Sequence, residues 1–284
     1  MMNLFENLQL LKEAEENSYD PNNYIWDGKS EVPKDVVNVT IKDGVPYINY
    51  YTFENCESLK EVNIPDSVTE IRIAAFHECK SLQNINIPNS VTKIGERAFQ
   101  GCVSLKEVNI PDSVTKIGNG GFAACVSLKE VNIPNSVTEI GNYAFHACKS
   151  LQNINIPNSV TEIGEWAFQG CDSLKEVNIP NSVTKIGDAT FASCHSLQQI
   201  NIPNSVIEIG KIAFHACDSL KEVNIPNSVT EIGAAAFEYC KSLQKVNISN
   251  TKTKIGEDAF SKCPNVKVYK NGKSNDHDNN DDNL

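Results

Sequence analysis

Residues 105–125 read LKEVNIPDSVTKIGNGGFAAC, and this stretch decides the fold because close copies of it follow one another along the chain. Cysteine shows the period most plainly, since successive cysteines are always 23 residues apart. The ten positions are Cys56, Cys79, Cys102, Cys125, Cys148, Cys171, Cys194, Cys217, Cys240 and Cys263. An even number of cysteines can indicate a disulfide framework, but equal spacing first indicates a tandem array of one structural unit.

Each copy begins with a short alternating segment. In the copy quoted, Val108 and Ile110 fall on one face of a strand, while Glu107 and Asn109 fall on the other. Pro111 ends the strand, because proline cannot donate a hydrogen bond to a neighbouring strand. The sequence therefore predicts one short strand per unit, with its apolar face turned inward.

The second half of each copy closes the coil. Val114 and Ile117 are predicted to turn inward again, and Phe122 and Cys125 to fill the far side. Gly118 is expected to mark either a positive φ or a close approach of two backbones. A single unit buries too little apolar surface to offset the entropy of ordering it, so the units must stack on one another.

Ten such units run from residue 36 to residue 265, and a partial strand at 266–269 closes the array. The pattern L-x-x-V-x-I-P-x-S-V-T-x-I-G-x-x-A-F-x-x-C resembles the BspA-like, or treponemal-type, leucine-rich repeat. The resemblance implies a leucine-rich repeat solenoid, a right-handed superhelix with a parallel β-sheet on its concave face. It also implies recognition of macromolecules, in some members cell adhesion, and no common catalytic residue.

The segments outside the array, which spans residues 36–269, are expected to differ from it. Residues 1–35 are predicted to form a cap, with an amphipathic helix over 3–17 that places Leu4, Leu8 and Leu11 on one face. This helix would cover the first coil or, alternatively, bind a partner. Residues 270–284 are rich in Asn and Asp, cannot build a core and are expected to be disordered.

Charge and hydropathy argue against some classes of protein. The net charge is −11, which argues against a nucleic-acid-binding protein, whose usual footprint is a basic patch. No run of apolar residues is long enough to span a membrane, and no secretory signal is apparent near Met1. We therefore expect a cytoplasmic protein, with an extracellular location as the alternative.

The sequence offers no centre for catalysis or for a metal. In a cytoplasmic protein the ten cysteines are expected to be reduced thiols packed as small apolar side chains. His77, His146 and His215 recur three units apart, too far along the stack to share one metal ion. No acid, base and nucleophile depart together from the repeat. We expect neither enzymatic activity nor a cofactor.

The positions that vary most between units lie between the recurring glycine and the Ala-Phe pair. Tyr143 and Trp166 occupy the same phase in adjacent units, and Ile212 lies two units further on. Tyrosine and tryptophan are enriched at binding hot spots, so these three residues are the predicted partner-binding site. The alternative is that they only fill space left by variable neighbours.

A second candidate surface is the asparagine ladder on the predicted concave face, represented by Asn109, Asn132, Asn155 and Asn178. The ladder could be a polar groove for an extended partner. It could equally be a solvated sheet whose stacked amides hydrogen-bond to each other.

These observations favour a non-enzymatic protein–protein interaction module or scaffold that presents a long repeat surface to a protein partner. A cell-surface or secreted BspA-like adhesin is the alternative that the resemblance suggests. We expect a monomer, whereas a self-assembling spacer, the structural alternative, would form oligomers that depend on concentration.

Overall fold

A computed structural model describes residues 19–275. It is a parallel β-solenoid of about ten turns, each of about 23 residues, as the repeat predicts. Residues 19–275 contain no α-helix, and the predicted helix over 3–17 lies outside the described residues.

The first side of the solenoid carries the longer strand of each coil, which has three or four residues. These strands are β1 (Tyr24–Trp26), β2 (Asn38–Ile41), β4 (Glu61–Asn63), β6 (Asn84–Asn86), β8 (Glu107–Asn109), β10 (Glu130–Asn132), β12 (Asn153–Asn155), β14 (Glu176–Asn178), β16 (Gln199–Asn201), β18 (Glu222–Ile225), β20 (Lys245–Ile248), β22 (Lys267–Lys270) and β23 (Lys273–Asn275). Neighbouring strands are parallel and in register by one repeat, so that Val108 faces Val131. Only the final pair described, β22 and β23, is antiparallel.

The second side carries a two-residue strand from each coil. These strands are β3 (Tyr47–Ile48), β5 (Glu70–Ile71), β7 (Lys93–Ile94), β9 (Lys116–Ile117), β11 (Glu139–Ile140), β13 (Glu162–Ile163), β15 (Lys185–Ile186), β17 (Glu208–Ile209), β19 (Glu231–Ile232) and β21 (Lys254–Ile255). The ladder runs from β3 to β13 and again from β15 to β21.

The strand alternation confirms the predicted inside and outside faces. Val108 and Ile110 are buried, whereas Glu107 and Asn109 are exposed. The inward side chains of successive coils stack into one continuous core along the whole array.

A column of phenylalanine rings forms the far side of this core. Nine rings are fully buried, and successive centroids lie 5.0–5.6 Å apart with nearly parallel planes. Trp26 packs edge-on against Phe53 and closes the column at its N-terminal end. Phe260 continues the column beyond Phe237 and is only partly buried. Each phenylalanine between these ends therefore depends on both neighbouring coils.

Hydrogen bonds join the coils in two opposite directions. Near the second side, the amide of Gly164 donates to the carbonyl of Ile140 in the preceding coil, at 2.8 Å. In the segment that carries the core phenylalanine of each coil (the phenylalanine segment), bonds run the other way. The amide of Phe145 donates to the carbonyl of Ala167 in the following coil, also at 2.8 Å. The Sγ of Cys148 donates to the carbonyl of Phe122, at 3.1 Å.

The glycine that recurs in most coils, such as Gly118, allows two backbones to approach closely and does not serve to adopt a positive φ. Its φ is not positive at Gly118, where an added Cβ would lie 2.6 Å from the carbonyl carbon of Gly95. The close-approach expectation is thus confirmed, and the positive-φ expectation is wrong for this position. The left-handed residues come later in the coil, as at Tyr143 and Ala147.

Gly164→Ala is expected to lower the free energy of unfolding by about 2–3 kcal/mol, because over-packing distorts the backbone. The new Cβ would lie 2.4 Å from the amide nitrogen of Asn142. Gly187→Ala is the matched control at the same repeat position. There the nearest contact is the side-chain Oγ1 of Thr190 at 3.3 Å, so a change of about 0.5 kcal/mol or less is expected. Urea unfolding compares the two variants, and equal losses would contradict the close approach.

The C-terminal end departs from the prediction that disorder begins at residue 270. Lys270 ends β22, the chain reverses at Asn271 and Gly272, and β23 returns over Lys273–Asn275. Asn271 and Gly272 both have positive φ, 48° and 75°, as a type I′ turn requires. The predicted boundary is therefore too early, because an Asn-Gly pair specifies a two-residue hairpin loop. Residues 276–284 lie outside the described residues.

Candidate interaction surface

Tyr143 and Trp166 form an aromatic pair on the surface. Their ring centroids lie 5.9 Å apart and their planes differ by 12°. Tyr143 is 44% exposed, and Trp166 is half-buried. The ring of His146 packs edge-on against Tyr143, also at 5.9 Å between centroids. Adjacent coils therefore bring together two of the three residues predicted for the partner-binding site.

The local backbone explains why these rings point away from the core. Tyr143 and Trp166 have φ values of 57° and 60°, in the left-handed region. Their backbone amides donate to the backbone carbonyls of Glu165 and Asp188 in the following coils, each at 3.0 Å. These bonds fix the backbone beneath the rings. The next two residues of the Tyr143 coil, Ala144 and Phe145, are buried. The aromatic pair is thus held on a rigid support.

Ile212 occupies the same backbone position but lies apart from the pair. The coil between Trp166 and Ile212 places Ala189 there, and that alanine is fully buried. Ile212 is half-buried and has a φ of 47°, which is unfavourable for a β-branched residue. The exposed pair and Ile212 are therefore separate surface features.

Ile212→Gly is expected to raise the free energy of unfolding by about 1 kcal/mol, because glycine adopts a positive φ without strain. Gly120 already occupies the equivalent position, with a φ of 61°. Ile212→Ala is the control, since it removes the side chain but keeps a Cβ on the strained backbone. Thermal unfolding compares them, and a glycine variant no more stable than the alanine variant would argue against strain.

His146 adds no positive charge beside the aromatic pair near neutral pH. Burial lowers the pKa of its imidazole, and a hydrogen bond with Gln169 only partly opposes this. The equivalent His77 instead lies 3.2 Å from the carboxylate of Glu54. Neutral His146 therefore extends the apolar character of the pair at physiological pH.

The cysteines form a buried column rather than a reactive centre. All ten are free and buried. Desolvation raises the pKa of the Cys148 and Cys194 thiols to about 12, so they stay protonated near neutral pH. Over residues 19–275, no group of three or more His, Cys, Asp or Glu side chains is arranged to hold a metal ion.

The asparagine ladder lies on the first side of the solenoid. Asn109, Asn132, Asn155 and Asn178 are all exposed. Hydrogen bonds between stacked amides occur at two places described, from Asn201 to Asn178 (3.2 Å) and from Asn247 to Asn224 (2.6 Å). A shallow groove crosses the ladder between Asn86 and Asn155, with Glu107 and Glu130 in its floor. The ladder offers donors and acceptors but no enclosed pocket.

A further aromatic cluster lies at the first coil, outside the residues predicted for the partner-binding site. Tyr50 and Tyr51 are each 54% exposed. The guanidinium of Arg72 lies 3.5 Å from the ring centre of Tyr47, a cation–π contact. Tyr51 has the same phase in the repeat as Tyr143, and that phase is the signal that could have revealed it.

Comparisons with known proteins agree with this architecture. The profile of the BspA type leucine-rich repeat region matches residues 33–152 and 138–267, in six copies. The chain belongs to the BspA-type leucine-rich repeat family. No protein among the curated ones matches the chain.

Several solved structures resemble this BspA-type chain. A leucine-rich cell surface protein from Faecalibacterium prausnitzii is 31% identical, with a TM-score of 0.50 and coverage of 84% of this chain and 80% of that one. A leucine-rich repeat protein of T. pallidum is 28% identical, with a TM-score of 0.52 and coverage of 73% and 78%. The pneumococcal vaccine antigen PcpA shares the fold at 19% identity, with a TM-score of 0.56 and coverage of 90% and 79%.

Membership of this family indicates the general role of the BspA-type chain. Leucine-rich repeat proteins generally serve as protein-interaction modules. Within residues 19–275, no helix is long and apolar enough to cross a membrane.

Proposed function

We propose that this BspA-type array is a non-enzymatic protein–protein interaction module, or scaffold, and that Tyr143 and Trp166 form the centre of its contact site. The observation that carries the proposal is the stacked aromatic pair, in which Tyr143 is exposed and Trp166 is half-buried. Buried aromatic anchors dominate the energetics of protein interfaces. A protein partner that covers this pair would gain most of its binding energy there.

The surroundings of the pair favour a protein partner. Neutral His146 lies against Tyr143 on one side, while exposed Asn142 and Glu165 provide a polar rim. The rings are already fixed by stacked coils, so binding orders few additional side chains. Ile212 lies outside this centre and is proposed only as an outlying contact for a large partner.

The asparagine ladder is the second candidate surface, for an extended partner. Its exposed amides repeat at each coil and could match a chain of regularly spaced polar groups. The absence of an enclosed apolar pocket over residues 84–155 ranks it below the aromatic pair.

We propose a cytoplasmic scaffold as the first alternative for the cellular role and a cell-surface or secreted adhesin as the second. The description of the F. prausnitzii relative as a cell surface protein supports the adhesin. Both roles would use the same aromatic pair. Fractionation of the native cells, with detection of this chain inside or outside, decides between them.

Affinity capture from the native lysate and from the cell surface tests the contact site. Wild type is compared with Tyr143→Ala/Trp166→Ala and with Tyr239→Ala, which removes an exposed ring elsewhere. The proposal expects one specific protein that only the first variant loses. Retention by both variants would refute the aromatic site and favour the asparagine ladder. Reproducible turnover by the pure protein would refute the non-enzymatic role.

A further inference from the structure

The C-terminal end of the solenoid is open in the part of the chain that the structure describes. The amides of Asp258, Phe260 and Lys262 find no acceptor among residues 19–275. In each of the nine preceding coils the three equivalent amides donate to carbonyls of the next coil, as Phe237 does to Ala259. Strand β21 is likewise the last of its sheet. This end is therefore shaped to accept a further coil.

The N-terminal end presents complementary groups. Strand β3 is the first strand on the second side, with no neighbour before it among the described residues. The carbonyls of Tyr50 and Thr52 have no donor there, whereas the equivalent Ile73 and Ala75 accept the amides of Tyr51 and Phe53. In the phenylalanine segment, amides that need acceptors thus lie at the C-terminal end, and carbonyls that need donors lie at the N-terminal end.

Both ends also expose apolar surface beside these groups. At the C-terminal end, Ile255 is 38% exposed and Phe260 is only partly buried. At the N-terminal end, Tyr50 and Tyr51 are exposed, although Trp26 covers the core ring of Phe53. The apolar surface available for contact therefore lies at the second side of the solenoid and in the adjacent turn.

The two ends of the array also differ in net charge. Residues 241–275 contain eight lysines and two acidic residues, a net charge of +6, and the four aspartates of residues 276–284 reduce the charge of residues 241–284 to +2, in a chain whose total is −11. Residues 19–61 contain four lysines and eight acidic residues, a net charge of −4. Two C-terminal ends would bring lysines together and, in the phenylalanine segment, would oppose donors to donors. A C-terminal end and an N-terminal end attract each other.

The geometry points to a second copy of this chain as the occupant of the open end: the C-terminal end of one molecule docks on the N-terminal end of the next. Such a contact is heterologous, so it extends into an open chain of molecules rather than closing into a symmetric dimer. It departs from the monomer expected from the sequence. It would also repeat the Tyr143–Trp166 site along the assembly and raise avidity for a multivalent partner.

Sedimentation of the full chain over about a hundredfold range of concentration tests the contact. At low salt the weight-average mass is expected to rise above the 31.3 kDa of one chain. Salt near 0.5 M is expected to weaken the association by about tenfold or more, because the attraction is between exposed charges. A mass that stays at one chain at every concentration overturns the proposal and assigns the lysines to protection of an exposed edge.

Charge reversal identifies the surfaces. Lys254→Glu/Lys262→Glu lowers the charge of residues 241–275 from +6 to +2, and Glu31→Lys/Asp43→Lys changes that of residues 19–61 from −4 to 0. Each variant alone is expected to associate more weakly than wild type, because one end of every contact has lost charge. An equimolar mixture is expected to form pairs again, because the unchanged basic end of one variant then meets the unchanged acidic end of the other. Lys106→Glu/Lys129→Glu, in the middle of the array, is the control and should associate like wild type.

Two other results would overturn head-to-tail docking. Association that survives both reversals would place the contact elsewhere. A mixture that stays monomeric, although wild type associates, would also exclude this pairing of ends. Because none of these substitutions touches Tyr143 or Trp166, capture of the protein partner reports on the proposed function independently.

Discussion

At about pH 10 the protein is expected to be less stable than near neutral pH by on the order of 10 kcal/mol. The cause is the column of ten buried cysteines. Desolvation raises the thiol pKa to about 11 at Cys56 and to about 12 at Cys148 and Cys194, and it raises the pKa at Cys125 and Cys171 as well. The folded state therefore holds its thiol protons where the unfolded chain releases them.

The direction in which stability changes with pH follows from proton linkage. Below the pKa of an unfolded thiol, near 9, both states are protonated and the full stability is present. As the pH rises above that value, only the unfolded state ionises, and each buried thiol removes about 1.4 kcal/mol per pH unit. The loss continues until the pH reaches the folded pKa, near 12 for Cys148.

Urea unfolding at a series of pH values under reducing conditions measures this loss. Cys148→Ala/Cys171→Ala has two fewer thiols, and its slope above about pH 9 is expected to be shallower by about 3 kcal/mol per pH unit. The slope is the readout, because each alanine also removes a buried sulfur and its hydrogen bond to a Phe carbonyl. Wild-type stability that is flat between about pH 8 and pH 10 would show that the thiols are not buried.

Phe145→Ala is expected to cost about 3–5 kcal/mol, which is typical of removing a fully buried aromatic ring. Phe145 stacks between Phe122 and Phe168, with centroids at 5.6 and 5.5 Å, so the cavity would open between three coils. The stack is nearly one-dimensional, so a gap in the middle weakens the coupling of both halves. Chemical denaturation measures the loss and tests whether unfolding splits into two steps.

Phe260→Ala is the matched control for Phe145→Ala. Phe260 packs only on Phe237, at 5.5 Å, and is partly buried, so about 1–2 kcal/mol is expected from the smaller area it covers. Equal losses at Phe145 and Phe260 would contradict an array whose stability comes from contacts between successive coils.

The repeat predicts most of the fold because it records periodic burial directly. The alternation at Val108 and Ile110 and the proline that follows are sufficient to place the strands and their inner face. The direction of the turn hydrogen bonds could not be predicted, because it depends on how the whole coil closes. The left-handed φ at Tyr143 was equally hidden, since aromatic residues rarely adopt it and glycine holds that position only at Gly120.

The candidate site was partly predictable for the same reason. A common phase in adjacent units implies contact in a stack, which holds for Tyr143 and Trp166. It does not extend to Ile212, because a buried alanine intervenes. The repeat pattern does not single out Tyr51, because the first unit diverges from the consensus. The backbone groups left without partners at the two ends of residues 19–275 depend on how the coils close, which no residue pattern specifies.

Hydrogen exchange of individual amides tests the central claim most directly, namely that bonds between coils build one continuous array with open ends. In dilute solution at high salt, where end contacts are weakest, the amides of Phe145 and Phe168 should exchange most slowly. Those of Asp258, Phe260 and Lys262 should exchange like exposed amides. An amide of Phe145 that exchanges as fast as that of Phe260 would contradict the stacked array.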